Sequence, residues 1–417
     1  MDHQIVIVGA GMAGGLTASE LREAGYDGRI VLVGDEHREP YERPKLSKEY
    51  LRGEVPAEAL AVHPRETYEQ AGIELVLGRR AVDLRPGEGR VLLDDGSALG
   101  FDRGLVLATG LRAIRPPLRG AGLPGVHVLR TVEDADAIRV AATRAHHAIV
   151  VGGGWIAAET AASLRQLGLD VTLVVPGSVV LERALGPEVG GLYSQAHAAH
   201  GVRLVTRSRA VSIEGIRHAT GVRLDTGRLV RGDLVVLGVG AAADLALAHA
   251  AGLEVGDGIF VDDRLRTAAP GILAVGDVAT AFHARYGRWV RTEHWDGARR
   301  QARIAAAQLA GHDERDTGLP YFFSDQFELG MECFGLSRGI EDVVVRRGPA
   351  DDAFAAFWLD RGRLVAALHV NLWDLAAPLR AAVEAGSHLD RALLDDPSVP
   401  LSVAIAEGDI ERAVPAA

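Results

Sequence analysis

The stretch QIVIVGAGMAGGLTASEL, from Gln4 to Leu21, decides the fold of this chain. An apolar strand runs into Gly9, Gly11 and Gly14, which have G-x-G-x-x-G spacing, and a helix begins there. The first glycine permits a tight turn, the second lets backbone N–H groups approach a pyrophosphate, and the third lets helix and strand pack closely. A second apolar strand is followed by Asp35, the acid expected about 20 residues on to hold a ribose hydroxyl. The pattern predicts a dinucleotide-binding βαβ unit.

The chain contains a second copy of this pattern, AIVVGGGWIAAETAASL, from Ala148 to Leu164. Its turn residues are Gly152 and Gly154, with Ala157 in the third position as an accepted variant. Two such units predict two dinucleotides, which we interpret as a resident FAD and a visiting NAD(P)H that reduces it.

The second unit lacks the acid that usually selects NAD. Val175 and Pro176 stand where the carboxylate would be, and the nearest arginine is Arg183. A missing carboxylate is compatible with the 2′-phosphate of NADPH, whereas NADP sites usually bring an arginine to that spot. The pattern favours NADPH slightly, and NADH held without the acid stays open.

Composition narrows the class of protein. The 417 residues are 48% hydrophobic and 24% charged, with a formal net charge of −11, which argues against nucleic acid as the main partner. No apolar run approaches the ~20 residues of a membrane span, and we expect no secretory signal because the sequence goes straight into a strand. A single cysteine, Cys333, fits a reducing compartment, so we expect a cytoplasmic protein. Histidine spacing suggests no metal site.

Six short motifs carry a resemblance to a known family. They are PYERPKLSKEYL (Pro40 to Leu51), LVLATG, LRTVEDADAI, GILAVGDVA, VRTEHWDGA and FFSDQF. The chain resembles the oxygenase-coupled NAD(P)H–ferredoxin reductases, the group that contains putidaredoxin reductase and dioxygenase-system ferredoxin reductases. The first motif is the most specific, because glycine turns and an ATG occur in many flavoproteins.

The resemblance implies an α/β fold with two Rossmann-like domains, as in glutathione reductase, plus a C-terminal α+β domain. We expect a discontinuous FAD-binding domain at 1–111 and 244–320 and an NAD(P)H-binding domain at 112–243. The tail at 321–417, where VVVRR and FAAFWLD alternate before a helical LAAPLRAAVEAG, would form the α+β domain.

The resemblance also implies residue roles. Lys48 would lie by the flavin ring, Arg43 by the pyrophosphate and Asp277 by the ribityl chain, while Glu293 and Trp295 would lie near the isoalloxazine and the nicotinamide. The candidate catalytic residues are therefore Lys48, Glu293 and Trp295. The candidate FAD-binding residues are Gly9, Gly11, Ala13, Gly14, Asp35, Arg43, Lys48, Val82, Ala108, Thr109, Gly110, Arg130, Gly276, Asp277 and Trp295. The candidate NAD(P)H-binding residues are Gly152, Gly154, Trp155, Ile156, Glu159, Arg183 and Gly240.

The chain differs from related families in its missing cysteines and in one aromatic residue of a motif. Disulfide reductases of this fold carry a C-x4-C pair after the first βαβ unit, and coenzyme A disulfide reductases a single cysteine there, but this chain reads LSK. Cys333 lies far away and is expected to be a small buried hydrophobe. Phe323 precedes Ser324 where the family usually has W-S-D-Q, so an aromatic that assists partner contact or electron exit is changed.

These residues predict a reductase that takes a hydride from NAD(P)H onto FAD and passes single electrons to a [2Fe–2S]-type ferredoxin serving a P450 or dioxygenase. Arg299 and Arg303 share a helix face and are candidates for docking an acidic ferredoxin, although a plain solvated face is equally compatible. Two rivals share most motifs. One is a monodehydroascorbate- or quinone-type reductase, and the other is a flavoprotein like apoptosis-inducing factor that works as a binding module.

Overall fold

The computed structural model describes residues 3–407, and α-helices alternate with β-strands along that range. The strands are β1 (Gln4–Val8), β2 (Arg29–Gly34), β3 (Ile73–Leu77), β4 (Ala81–Arg85), β5 (Arg90–Leu93), β6 (Ala98–Gly100), β7 (Gly104–Leu107), β8 (Leu111–Ala113), β9 (Val126–His127), β10 (His147–Val151), β11 (Asp170–Val174), β12 (Arg203–Val205), β13 (Ala210–Gly215), β14 (Ala219–Leu224), β15 (Leu229–Arg231), β16 (Leu234–Leu237), β17 (Ala241–Ala243), β18 (Ile259–Val261), β19 (Ile272–Ala274), β20 (Ala279–His283), β21 (Arg288–Val290), β22 (Tyr321–Gln326), β23 (Leu329–Gly335), β24 (Val343–Arg347), β25 (Phe354–Asp360) and β26 (Arg363–Val370). The helices are α1 (Met12–Glu23), α2 (Glu49–Arg52), α3 (Arg65–Gln70), α4 (Val132–Ala142), α5 (Trp155–Gln166), α6 (Glu182–Ala199), α7 (Ala246–Ala250), α8 (Trp295–Ala310), α9 (Ala376–Ala385), α10 (Arg391–Asp395) and α11 (Leu401–Glu407).

The described chain divides into two compact units. Unit 1 comprises residues 3–44, 56–112 and 241–318, and unit 2 comprises residues 45–55, 113–240 and 319–407. Over residues 3–407, every helix falls short of the length and hydropathy that crossing a lipid bilayer demands.

Unit 1 is built on a five-stranded parallel sheet in the order β19-β7-β1-β2-β3. Its central strands are apolar throughout and buried, which is the pattern of a parallel sheet covered on both faces. The carboxyl ends of β1, β2, β7 and β19 meet at one edge of the sheet because the register is parallel. The first glycine turn follows β1 at this edge.

Unit 2 repeats the arrangement with a five-stranded parallel sheet, β12-β11-β10-β16-β9, and the second glycine turn follows β10. Its C-terminal part is a five-stranded antiparallel sheet, β22-β23-β26-β25-β24, whose core includes residues of α9. The two parallel sheets and the antiparallel sheet with its helices confirm the predicted fold class. The predicted domain boundaries stay a prediction.

Candidate functional site

The first glycine turn, in unit 1, leaves room for a ligand only on one side. Gly9 has φ +113°, and a Cβ there would lie 2.1 Å from the carbonyl oxygen of Ala108. A Cβ on Gly14 would lie 1.9 Å from the Gly9 oxygen, so helix and strand are packed as closely as the motif predicts. In front of Gly11 there is nothing within 4 Å. The backbone therefore forms a cradle that is open at the second glycine.

The start of α1 faces this cradle, and no side chain caps the backbone N–H groups of its first turn. Its N-cap, Gly11, makes no side-chain hydrogen bond, and the first turn contains no acidic residue. The first N–H groups of a helix lack intrahelical partners and attract anions. These residues fit the pyrophosphate of a dinucleotide.

Two acids follow β2, and the structure gives them different surroundings. Asp35 is half-exposed and pairs with Arg80 at 3.0 Å. Glu36 accepts hydrogen bonds from Arg43 and from the Tyr41 hydroxyl, both at 2.7 Å. Burial alone would lower the pKa of the Arg43 guanidinium, but Tyr41 and Glu36 outweigh it and raise that pKa above its ordinary value. Arg43 thus stays a firmly held cation beside the strand end.

The ends of β7 and β19 supply the next predicted residues. After Ala108, the Thr109 hydroxyl donates to the Asp244 carbonyl at 2.9 Å, and Gly110 takes φ +64°. After β19, Gly276 has φ +72°, and a Cβ there would come within 2.9 Å of the Ala13 side chain.

Asp277 comes next, in a 3₁₀ turn, Gly276–Val278, and its side chain is half-buried. Its charge helps Tyr41 and Glu36 to raise the pKa of the Arg43 guanidinium. Val82 lies on β4, two residues after Arg80, which pairs with Asp35, and 51% of its surface is exposed. The structure therefore gathers most of the predicted FAD residues at one sheet edge of unit 1.

Trp295 is the first residue of α8, and its indole N–H donates to the Glu42 carboxylate at 2.9 Å. The Arg299 guanidinium lies over the indole ring, 5.4 Å from its centroid. Glu293 is exposed, and its carboxylate forms an ion pair with Arg291 at 2.6 Å. The roles of Glu293 and Trp295 toward a flavin stay predictions.

The second glycine turn, in unit 2, repeats the geometry of the first. Gly152 has φ +139°, and a Cβ there would lie 2.1 Å from the Gly238 oxygen, while nothing lies within 4 Å in front of Gly154. Ala157 takes the place of the third glycine because a Cβ fits there: it is buried and packs on Gly238. No side chain caps α5. The turn fits a second pyrophosphate.

Several predicted NAD(P)H contacts flank this turn. Trp155 begins α5 and packs against Phe322, with ring centroids 4.4 Å apart, while Ile156 is 44% exposed. Gly240 has φ +115° in the segment after β16. Arg130, which was predicted as an FAD contact, lies in unit 2 just before α4, where its backbone N–H donates to the Asp134 carboxylate of the helix capping box at 3.0 Å. Its role toward FAD stays a prediction.

The least expected feature of unit 2 is a buried polar cluster around Glu159. Its carboxylate accepts from Ser47 at 2.5 Å and from Ser324 at 2.7 Å, and the Lys48 ammonium lies 3.6 Å away. The side chains of Lys48 and Glu159 are only 5% and 6% exposed. The Lys48 ammonium also lies over the Phe323 ring, 5.3 Å from its centroid. Lys48 is therefore a buried, ion-paired residue.

This cluster shows what sequence reasoning missed. Glu159 was predicted only as a coenzyme contact, and its pairing with Lys48 and the two serines has no local sequence signal. Lys48 and Ser47 occupy the place where disulfide reductases carry cysteine, and Cys333 is buried with its pKa raised to about 12 by burial.

Comparison with known proteins agrees with this arrangement. Residues 3–302 match the pyridine nucleotide-disulphide oxidoreductase family, and residues 321–405 match the reductase C-terminal domain. The chain is 37% identical to putidaredoxin reductase of Pseudomonas putida, over 98% of both chains. It is 41% identical to the ferredoxin–NAD(+) reductase component of the anthranilate 1,2-dioxygenase system of Burkholderia cepacia, over 95% of this chain and 98% of that one. Among solved structures, the reductase in the covalent putidaredoxin reductase–putidaredoxin complex is 36% identical, covers 99% of this chain and 100% of its own, and superposes with a TM-score of 0.93.

Proposed function

The chain belongs to the pyridine nucleotide-disulphide oxidoreductase family, and from this premise we propose that it passes electrons from NAD(P)H through FAD to a [2Fe–2S]-type ferredoxin serving a P450 or a dioxygenase. The support is the likeness, over nearly the whole chain, to proteins named for such systems. FAD supplies the chemistry, since it can accept two electrons as a hydride and give them up singly.

The residues of the chain would bind and orient the two dinucleotides. In unit 1, the turn at Gly9 and Gly11 would hold the FAD pyrophosphate at the start of α1, and Asp277 would hydrogen-bond the ribityl chain. In unit 2, the turn at Gly152 and Gly154 would hold the pyrophosphate of NAD(P)H at the start of α5. The arrangement needs no side-chain nucleophile.

The observation that excludes a disulfide as the electron acceptor is the absence of a usable thiol. The family includes disulfide reductases, in which cysteines pass electrons to a disulfide. Here Ser47 and Lys48 stand in that segment and are fully engaged with Glu159. Cys333 is buried, and burial raises its pKa to about 12, so it forms no thiolate near neutral pH. The electrons must leave without a thiol relay, as they would toward an iron–sulfur protein.

The test is an anaerobic stopped-flow experiment on the FAD-loaded protein. We expect NAD(P)H to bleach the flavin absorbance band, and a [2Fe–2S] ferredoxin to restore it faster than a quinone or an aromatic disulfide does. Faster recovery with the disulfide or the quinone, or a protein that remains colourless after reconstitution with FAD, would contradict the proposal.

For the coenzyme, we propose NADPH over NADH. The support is that Val175, at the end of β11, is buried and carries no carboxylate for a ribose hydroxyl. Bleaching rates measured over a range of NADH and NADPH concentrations would compare the two. A lower half-saturation concentration for NADH would reverse the preference.

For the partner, we propose that ferredoxin docks at the α8 face that carries Arg299 and Arg303. Arg299 is exposed over Trp295, whereas Arg303 is 54% exposed and pairs with Glu314 at 2.5 Å. Glu20 also lies within electrostatic range of both arginines, so the face is charge-mixed and its pull on an acidic partner is moderate.

Replacing Arg303 with glutamate should raise the KM for ferredoxin about twofold to fivefold, as expected for losing an exposed ion pair. Reduction of a small dye should be unchanged, because a dye needs no docking surface. Arg90→Glu, an exposed change of the same charge on β5, is the matched control. Equal KM values for the two variants would discard this docking site.

A further inference from the structure

The end of β11 in unit 2 carries a buried valine where a ribose-binding acid is usual. In a dinucleotide-binding unit the residue after this strand usually carries a carboxylate that holds the 2′-hydroxyl of NAD. Val175 is 1% exposed there, and its backbone is bonded to the neighbouring chain on both sides, from its N–H to Val205 at 2.8 Å and from Ser208 to its carbonyl at 3.2 Å. Val175 itself offers no carboxylate to a ribose hydroxyl.

An arginine reaches the same place from the next strand. Arg207 lies just after β12, which pairs with β11 in parallel, so both strand ends lie at one edge of the sheet. The Arg207 N–H donates to the Gly177 carbonyl at 2.7 Å, which ties it to the loop that follows β11. Its φ is +51°, a left-handed backbone that a residue with a side chain adopts at a cost. A strained residue of this kind is a reason to look for a function.

Two cationic side chains flank this loop, Arg207 after β12 and Arg183 at the start of α6. Arg207 and Arg183 are exposed, and neither makes a side-chain hydrogen bond or ion pair with another residue in 3–407. Glu182 is engaged, since it accepts from the Ser178 N–H at 2.7 Å and from the Ser178 hydroxyl at 2.8 Å. These bonds from Ser178 lower the pKa of Glu182, and Arg207 adds to the effect. The ionised Glu182 carboxylate therefore fixes the loop after β11 through its two hydrogen bonds from Ser178.

We propose that Arg207, assisted by Arg183, binds the 2′-phosphate of NADPH. The proposal rests on the proposed function in one respect, that the turn at Gly152 binds a nicotinamide dinucleotide. A guanidinium presents paired N–H donors that match phosphate oxygens, and it stays charged at all working pH values. The adenosine end of a nucleotide seated at β10 extends toward β11 and β12, where the acid of other members is replaced by Val175 and where Arg207 lies. Sequence reasoning named Arg183 alone, because Arg207 follows a different strand.

The test measures binding of two fragments to the FAD-loaded protein by calorimetry, with no turnover required. We expect adenosine 2′,5′-bisphosphate to bind at least about tenfold more tightly than 5′-AMP, because each charge-assisted hydrogen bond to phosphate is worth roughly a factor of ten or more. Arg207→Gly should lower the affinity for the bisphosphate about tenfold and leave that for 5′-AMP unchanged. Glycine accepts a positive φ, so this variant should be at least as resistant to urea as the parent.

Two further variants keep the outcome decisive. Arg203→Leu removes an exposed arginine at the opposite end of β12 and should leave both affinities unchanged. Arg207→Lys should retain part of the preference, since it keeps a charge without the paired donors. Equal binding of the two fragments by the parent protein would overturn the proposal. A preference that survives Arg207→Gly, or a Glu182→Gln variant that loses NADH affinity, would also overturn it. In any of these cases flavin bleaching by NADH would leave the proposed electron transfer to ferredoxin standing, and only the proposed preference for NADPH would fall.

Discussion

Replacing Lys48 with methionine should destabilise the protein by about 3 kcal/mol, because the change strands a buried carboxylate. The Lys48 and Glu159 side chains are 5% and 6% exposed, and their charged atoms are 3.6 Å apart. Breaking a buried pair by removing one partner costs about 3–5 kcal/mol. The lower end applies because Ser47 and Ser324 still donate to Glu159 after the change.

The double variant separates this effect from simple loss of packing. Glu159→Gln should also destabilise, because it leaves an ammonium group beside an amide. Combining it with Lys48→Met removes both charges, so the double variant should be about 1–3 kcal/mol more stable than the sum of the single changes predicts. Unfolding by urea at 25 °C, followed by far-ultraviolet circular dichroism, measures all four proteins.

An exposed pair provides the control. Arg29 and Glu74 lie 2.6 Å apart, but their side chains are 49% and 46% exposed. The same cycle with Arg29→Met and Glu74→Gln should give a coupling below about 1 kcal/mol. A Lys48–Glu159 coupling no larger than that of the exposed pair would refute the reasoning.

Two predictions concern groups whose burial shifts their pKa. Burial raises the pKa of Cys333 to about 12, so an aromatic disulfide reagent at pH 8 should label the thiol only after urea unfolds the protein; labelling of the native protein would contradict this. Burial lowers the pKa of the His197 imidazole, which is hydrogen-bonded to Gln326. On lowering the pH through about 6.5, the unfolded chain therefore binds a proton at this imidazole, whereas the native chain does not. The unfolding free energy should therefore fall as the pH drops from 7.5 to 5.5, and it should fall less in the His197→Gln variant. If urea titrations gave both proteins the same dependence of unfolding free energy on pH, His197 would be excluded as the cause.

Local patterns predicted the elements of this fold well. The segment FAAFWLD forms β25, and LAAPLRAAVEAG contains α9. Both signals are local, since one is a strand-length run and the other a 3.6-residue period. The family and the fold class that the motifs predicted are confirmed by the full-length relatives.

The site was predictable only where its chemistry is local. The glycine turns could be predicted because strand, glycines and helix are consecutive, and their tight approaches to Ala108 and Gly238 match the motif. The surroundings of the charged side chains could not be predicted. Asp35 and Glu36 are neighbours in sequence, yet one faces Arg80 and the other faces Arg43, and a sequence pattern does not rank such partners.

The cluster at Glu159 shows why such partners escape sequence reasoning. Its hydroxyl donors lie 112 and 165 residues away in the chain, on the segment before α2 and on β22, and only folding brings them to α5. A carboxylate buried to this degree needs several donors, because burial of an unpaired charge costs more than a domain can supply. The donors therefore explain why residues 45–55 group with unit 2, although the residues on either side of that segment belong to unit 1. Ser47 and Lys48 thus bind Glu159 in the segment where a disulfide reductase would place its cysteines. The segment that lacks the thiols therefore also connects three parts of unit 2 that are distant in sequence.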